Sequence, residues 1–386
     1  MKRIYLDNAA TTPIDPRVAE VMREFELESY GNPSSIHREG QAARAKIDFA
    51  RANLATFLNC SPQEVVFTSG ATEANNLAIQ GVISHAILDM AAKPHVITTM
   101  LEHQSVYNLV KELENRRVIE ATFIKPGING MIDPDDIIRA IKANTVLVSV
   151  IFVSNEIGSV LPIREIGKEL SRIADRGSRI IYHTDAVQAA KYYNLNVEKL
   201  GVDLLTISGH KVSGPKGIGA LYIKSGTKMS NLTFGGSQEY ERRPGTQNTT
   251  GIIGMARAYK LLGSLEDRQK TAKKISELRD ELINFVSKFN KIEINGPVGE
   301  SRAPDNLSFT IFEADQELII SKLDLAGIAA STGSACVSGS AQPSHVIQAL
   351  GKAGKKKAAT VRLSLGKQNT AEEIKQVKKI LEKILK

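Results

Sequence analysis

The chain has 386 residues, is 42% hydrophobic and 24% charged, and carries a formal net charge of +8. This length can bury one large core and a smaller one, and the composition is that of a globular protein. No apolar run approaches the roughly 20 residues of a membrane span, no signal-peptide core follows Met1, and two cysteines give no disulfide framework. We therefore expect a cytoplasmic protein. Its moderate positive charge more commonly means solubility than attraction to an acidic partner.

The first two thirds of the chain alternate strand and helix patterns. An extended segment of small and polar residues, 5–13, precedes a helix at 16–30 and a long helix that ends at Leu58, for which we assign Ser35 as the N-cap. Seven strands are predicted after them, at residues 64–68, 95–99, 120–124, 146–153, 180–185, 203–208 and 218–223. This alternation is typical of an open α/β sheet, which binds ligands at the carboxyl ends of its strands.

The pattern changes after about Leu262. A helix with one apolar stripe is predicted at 267–289, and strands at 307–312 and 361–365. The last helix opens with a capping box from Thr370 to Glu373. These elements predict a smaller α+β domain.

Two strands of the predicted sheet end in residues that suit a bound cofactor. The first ends on Asp185, and the second is followed by 208–211 (SGHK), which contains Lys211. Pyridoxal phosphate needs this combination, because a lysine amine forms its Schiff base and a carboxylate keeps its ring nitrogen protonated. Taken singly, Asp185 is more simply a helix cap and Lys211 an exposed loop lysine; their combination favours the cofactor.

Three other strand ends carry weaker signals. The turn 68–73 (TSGATE) opens a helix, whose unpaired N–H groups suit a phosphate. His103 follows a strand and could stack on a planar ring or exchange protons, although a lone histidine is more often structural. Asn155 lies at the end of the most apolar strand, within reach of the same pocket.

The second cysteine lies in a segment, 329–340, of almost entirely small residues. Such a segment offers little apolar surface for a cysteine to pack against, so we interpret Cys336 as a nucleophile on a mobile loop. Cys60 follows a helix end and is interpreted as a packing residue or one without a role.

The sequence resembles the cysteine desulfurases of the NifS/IscS type, within the class V aminotransferase branch of pyridoxal-phosphate enzymes. The resemblance covers essentially the whole chain and rests on the motifs 5–12 (YLDNAATT), 30–35 (YGNPSS), 70–76 (GATEANN), 102–103 (EH), 185–188 (DAVQ), 208–211 (SGHK), 333–336 (GSAC) and 362–366 (RLSLG). It implies fold type I of the pyridoxal-phosphate transferases, with a mainly parallel mixed sheet flanked by helices. The large domain would span 14–262, and a small α+β domain would combine 1–13 with 263–386 and carry the cysteine loop at about 329–342.

The resemblance also implies a role for each matching residue. Lys211 would bind the cofactor, with Asp185 on its ring nitrogen, Gln188 near its hydroxyl, and His103 stacked on the ring and moving protons. The residues that would hold the phosphate are Ala71, Thr72, Ser208, His210 and, from the second subunit of a homodimer, Thr246. Asn155 would also contact the cofactor, while Asn32 and Arg362 would bind the substrate carboxylate. No metal site is implied.

The implied reaction converts L-cysteine to L-alanine and leaves the sulfur on Cys336 as a persulfide, for an iron–sulfur scaffold or another acceptor. Two alternatives stay open: a selenocysteine lyase or aminotransferase on the same fold, and a non-catalytic sulfur carrier or tRNA-binding partner. Val337 stands where family members often have serine, which we expect to tune the loop. The chain stops directly after its last helix, so we expect it to lack the longer tail with which IscS-like relatives dock the scaffold.

Overall fold

The computed structural model of the chain describes residues 3–90, 92–174, 180–333, 344–352 and 358–385. Its strands are β1 (Ile4–Tyr5), β2 (Val65–Thr68), β3 (His95–Thr99), β4 (Glu120–Ile124), β5 (Thr145–Ser149), β6 (Ile181–Asp185), β7 (Leu204–Ser208), β8 (Gly219–Ile223), β9 (Ile292–Ile294), β10 (Asn306–Phe312), β11 (Ile328–Ala329) and β12 (Ala358–Ser364). Its α-helices are α1 (Pro16–Glu28), α2 (Arg38–Leu58), α3 (Ala71–Asp89), α4 (Gln104–Asn115), α5 (Pro134–Arg139), α6 (Ile163–Ala174), α7 (Val197–Leu200), α8 (Thr249–Leu261), α9 (Leu265–Val286), α10 (Gln316–Leu325), α11 (His345–Ala349) and α12 (Ala371–Leu385). None of the helices in these ranges has the length and apolarity to cross a membrane.

The central sheet has seven strands in the order β2-β8-β7-β6-β5-β3-β4. Strand β8 is antiparallel to both of its neighbours, and the other neighbouring pairs are parallel. The expected α/β fold with a mainly parallel mixed sheet is therefore confirmed. Because all strands except β8 run in one direction, their carboxyl ends share one edge of the sheet.

Helices cover both faces of this sheet, so alternate strand residues enter two different apolar cores. Phe67 and Val148 face the core that contains α1, α2, α6 and α8. Val66 and Leu147 face the core formed with α3 and α4. Burial on both faces explains why these strands read as nearly continuous apolar runs.

A second, antiparallel sheet has the order β12-β10-β9 and packs against α9, α10 and α12. Phe309, Leu282 and Val377 are fully buried in its core. The chain's first strand, β1, pairs with β11, so the N-terminal residues join the C-terminal elements. This smaller α+β layer is the one the sequence predicted; the domain boundaries at residues 13 and 262 stay a prediction.

The bounds of α9 and β12 differ from the predicted ones by up to three residues. The N-cap of α2 and the end of β5 were also predicted wrongly. The N-cap of α2 is His37, whose Nδ1 accepts a hydrogen bond from the Gly40 amide at 3.3 Å, whereas Ser35 closes a turn onto Asn32. Strand β5 ends at Ser149, four residues early, because the chain after it folds into a hairpin in which Val153 bridges Val160. The apolar run of that strand therefore continues into the hairpin.

Candidate active site

Asp185 ends β6 at the shared edge of the sheet and is buried. One carboxylate oxygen accepts a hydrogen bond from Asn75 Nδ2 at 2.8 Å, and the other accepts from the Val187 amide at 3.0 Å. The second contact is a local turn contact with the amide two residues on; the short helix that follows has Gln188, not Asp185, as its N-cap. The first contact comes from Asn75 in α3 and fixes the carboxylate in the site.

Lys211 follows β7 and points towards the N-terminal segment. Its Nζ donates hydrogen bonds to the carbonyl oxygens of Ala9 and Ala10, both at 2.6 Å. Gln188 Nε2 donates to the same Ala9 oxygen at 2.9 Å. The structure thus brings Lys211 and Gln188 together at one carbonyl group and rules out an exposed loop lysine.

His103 is the N-cap of α4, and its Nδ1 lies 2.8 Å from Ser105 Oγ. Burial lowers the pKa of His103; the negative charge of Asp185 raises this pKa, and the positive charges of Lys211 and Arg362 lower it. These charges act on the ring because all three residues lie near it. A neutral imidazole at neutral pH can accept a proton, which is the state that the predicted role requires.

The predicted phosphate residues lie where β2 and β7 end. Helix α3 starts with Ala71 and Thr72, and its N-cap is Gly70, which provides no side-chain cap and has open space beside it. Ser208 Oγ is buried and has no hydrogen-bond partner among the described residues. Burial, then the charges of nearby lysines, lowers the pKa of His210 to about 4, so this ring is neutral. A helix N-terminus and an unpaired buried hydroxyl fit an anionic group.

Arg362 on β12 is 1% exposed and joins the antiparallel sheet to the segment that follows β5. Its Nη1 donates to the carbonyl oxygens of Asn155 and Gly333, at 3.0 and 3.3 Å, and its Nη2 donates to Asp7 Oδ1 at 3.0 Å. Among the described residues no partner faces its buried Nε. Since a guanidinium has five N–H donors, an Nε–H and an Nη2–H are left for a ligand, which suits a carboxylate.

Three predicted residues are not joined to this site by any described contact. Asn32 is exposed, and its side chain accepts a hydrogen bond from the Ser34 amide at 2.9 Å. Thr246 is exposed, as a residue offered to a second subunit would be. Cys336 lies outside the described residues, so its role stays a prediction.

Cys60, by contrast, packs against the main core as predicted, and burial raises the pKa of its thiol to about 12.

The structure adds two buried glutamates that the sequence did not single out for a role. Glu102 Oε1 accepts hydrogen bonds from Thr99 Oγ1 and the Ile151 amide, both at 2.8 Å, and burial raises the pKa of Glu102 to about 8. Glu156 is also buried, and burial raises its pKa. Each of them lies in a turn after a strand and is the sequence neighbour of a predicted site residue. No residue pattern shows that a carboxyl group in such a turn is buried.

Asn75, which holds Asp185, was missed for a related reason: it lies in the 70–76 motif but inside a helix, where its contacts depend on packing. The described residues contain no group of three histidines, cysteines, aspartates or glutamates that could hold a metal ion.

The Aminotransferase class-V sequence profile matches residues 4–377. The chain belongs to this family. It is 42% identical to a cysteine desulfurase IscS of Dictyoglomus turgidum (strain DSM 6724 / Z-1310), over 100% of this chain and 95% of the relative. It is 40% identical to a cysteine desulfurase IscS of Methanosarcina thermophila, over 100% and 92%.

Solved structures share the fold. A NifS-like protein covers 99% of this chain and 98% of its own, with a TM-score of 0.87 and 33% identity. The structure of SspA in complex with cysteine covers 95% and 99%, with a TM-score of 0.80 and 32% identity. The resemblance and the pyridoxal-phosphate cofactor predicted from the sequence are confirmed by this family membership. The lysine, the buried carboxylate and the unpaired donors at the sheet edge fit that cofactor.

Proposed function

We propose that this chain is a pyridoxal-phosphate-dependent cysteine desulfurase, which converts L-cysteine to L-alanine and transfers the sulfur to Cys336 as a persulfide. The proposal is supported by relatives of that activity that align over the full length of the chain. The observation that carries it at the site is the convergence of His103, Asp185, Lys211 and Arg362.

The cofactor would be held at the carboxyl edge of the central sheet. Lys211 would bind it covalently, Asp185 would face its ring nitrogen, and Gln188 its hydroxyl group. Its phosphate would be bound by Ala71, Thr72, Ser208 and His210, with Thr246 of the second subunit. When bound, this cofactor supplies an electron sink for the substrate's α-carbon.

The protein's own residues orient the substrate and move protons. Arg362 binds the carboxylate of L-cysteine through its remaining N–H donors, assisted by Asn32, while Asn155 contacts the cofactor. Asp7 fixes the guanidinium from the other side. The neutral His103 or the amine of Lys211 moves the α-proton.

Sulfur transfer needs a thiolate at Cys336, because the thiol is a poor nucleophile. The thiolate attacks the sulfur of the substrate, and a sulfur–sulfur bond forms. The carbon–sulfur bond breaks with its electron pair left on carbon, which takes up a proton to give alanine. The persulfide is then available to an acceptor.

We further propose a homodimer in the cytoplasm that passes sulfur to an acceptor protein such as an iron–sulfur scaffold. The exposed position of Thr246 supports a dimer in which this residue serves the partner's site.

The activity is tested by incubating the holoenzyme with L-cysteine and a reductant and measuring alanine and sulfide together. We expect equal amounts of both from the wild type, and neither from Lys211→Ala, which should also lose the cofactor's absorbance band. Lys228→Ala is the matched control, since that lysine is exposed on the surface. Alanine formation by Lys211→Ala at the wild-type rate, or none by the wild type, would refute the proposal.

A further inference from the structure

Glu156 lies in the hairpin that follows β5 and is 3% exposed. The hairpin is closed by hydrogen bonds from the Ser154 amide to the Ser159 carbonyl, 2.9 Å, and from the Leu161 amide to the Phe152 carbonyl, 2.8 Å. Asn306 Nδ2 donates to the backbone oxygen of Glu156 at 3.3 Å. The backbone that carries this carboxyl group is therefore held by its own hairpin and by β10 of the antiparallel sheet.

One oxygen of this carboxyl group contacts two residues that are distant in the chain. Glu156 Oε2 accepts a hydrogen bond from Ser344 Oγ at 2.5 Å. The same oxygen would lie 2.7 Å from a Cβ atom placed on Gly333, so the glycine packs directly against it. The Gly333 carbonyl is held in turn by Arg362 Nη1.

The chain beyond Ser344 is fixed by a second set of contacts. His345 Nε2 lies 3.0 Å from the Glu102 carbonyl oxygen, and its ring stacks on Tyr107 with 4.0 Å between centroids. Burial lowers the pKa of His345 to about 4, so the ring is neutral in this contact. The residues on both sides of segment 334–343 are thus anchored at the carboxyl edge of the sheet, beside Arg362 and next to His103.

We propose that Glu156 is a positioning residue for sulfur transfer, whose carboxyl group binds Ser344 and packs against Gly333 beside Arg362. This inference rests on the proposed function, because Cys336 lies in the sequence between those two residues. Glu156 thereby fixes Gly333 and Ser344 relative to Arg362, and correct placement of reacting groups contributes a large part of the rate of a transfer between them.

The chemistry of the contact supplies a conservative variant. Burial raises the pKa of Glu156, while the hydrogen bond from Ser344 and the charge of Arg362 lower it, and the net shift is upward, towards the neutral carboxyl group. Glutamine is neutral, has the same shape and keeps an acceptor for Ser344. It should therefore preserve the contact that alanine removes.

The test is a single-turnover experiment on the holoenzyme, in which mass spectrometry follows persulfide formation after mixing with L-cysteine. Glu156→Ala should form the persulfide at least about tenfold more slowly, since small misplacements of reacting groups have effects of this size. Glu156→Gln should stay within about threefold of the wild type, as should Ser225→Ala, the control at an exposed serine. The double variant Glu156→Ala with Ser344→Ala should be no slower than the slower single variant, because each single change already removes the same contact.

A second readout separates positioning from general damage to the fold. The cofactor absorbance of Glu156→Ala, and the L-cysteine concentration that half-saturates its change, should match those of the wild type. Equal persulfide rates in the wild type and Glu156→Ala overturn this inference and leave the proposed function intact. A Glu156→Gln variant as slow as Glu156→Ala, or loss of cofactor absorbance in Glu156→Ala, also overturns the inference. Absence of persulfide in the wild type overturns both.

Discussion

Replacing Glu239 by glutamine should destabilise the protein strongly, whereas the same change two residues on, at Glu241, should not. The Glu239 carboxylate is bound by both Nη atoms of Arg51, at 2.6 and 2.7 Å, and the two side chains are 1% and 5% exposed. It also accepts the amide of Phe67 at 2.8 Å and Nε2 of Gln247 at 3.0 Å. Glu241 is exposed.

The magnitude follows from what the substitution leaves behind. Removing one partner of a buried ion pair costs about 3–5 kcal/mol, because the other charge stays buried without compensation. Residues 239–241 also have φ values of 48°, 57° and 63°. Left-handed backbone costs about 1–2 kcal/mol per residue, so this strained turn depends on the ion pair that holds its first residue.

Thermal unfolding of the two variants measures the difference. With an unfolding entropy of about 2.1 cal/mol/K per residue, a loss of 3–5 kcal/mol lowers Tm by about 4–6 °C if the whole chain unfolds together. Glu241→Gln should change Tm by less than about 1 °C, since exposed substitutions have small effects. Because the turn precedes Thr246, Glu239→Gln should also bind the cofactor more weakly. Equal Tm values for the two variants would show that the buried pair does not stabilise the fold.

Three further outcomes are expected. His103→Gln should keep the cofactor band but lose about 10²–10⁴-fold in kcat, the usual contribution of a general acid–base residue. Since the pKa of His103 is lowered, the acid limb of the wild-type pH profile of kcat/KM should lie below the ordinary histidine value of about 6.5. An acid limb above that value contradicts the assignment. Arg362→Lys should raise the KM for L-cysteine about 10–150-fold, because a hydrogen bond to a charged group contributes about 1.5–3 kcal/mol. An unchanged KM would show that Arg362 does not bind the substrate. The pKa of Glu102 is about 8 in the folded protein, above its unfolded value, so its protonation stabilises the fold fully below about pH 4.5 and this contribution is lost as pH rises to 8. In urea unfolding, the wild type should therefore lose up to about 1.4 kcal/mol per pH unit relative to Glu102→Gln across that window. A constant difference between the two proteins would mean that Glu102 is ionised throughout.

The sequence predicted the elements of the central sheet well because each strand is a short apolar run bounded by turn residues. It failed where a different local contact competes. The hairpin after β5 continues the apolar pattern of the strand, so the pattern alone gives no reason to stop at Ser149. The N-cap of α2 shifted from Ser35 to His37 because the serine is used by a preceding turn.

The site was predicted in part for a simple geometric reason: parallel strands end at one edge, so Asp185, Lys211 and His103 had to be neighbours if the sheet formed. Contacts that join distant parts of the chain carry no such signal. Three such contacts are visible only once the fold is known: those of Asn75 with Asp185, Asp7 with Arg362 and Ser344 with Glu156.

The most direct test of the whole account is mass spectrometry of the holoenzyme after exposure to L-cysteine, with peptides mapped across both cysteines. The account predicts one added sulfur atom on the peptide that contains Cys336, none on the peptide of Cys60, and none in Cys336→Ala, whose cofactor band should persist. An adduct on Cys60 instead, or sulfide release by Cys336→Ala at the wild-type rate, would contradict it.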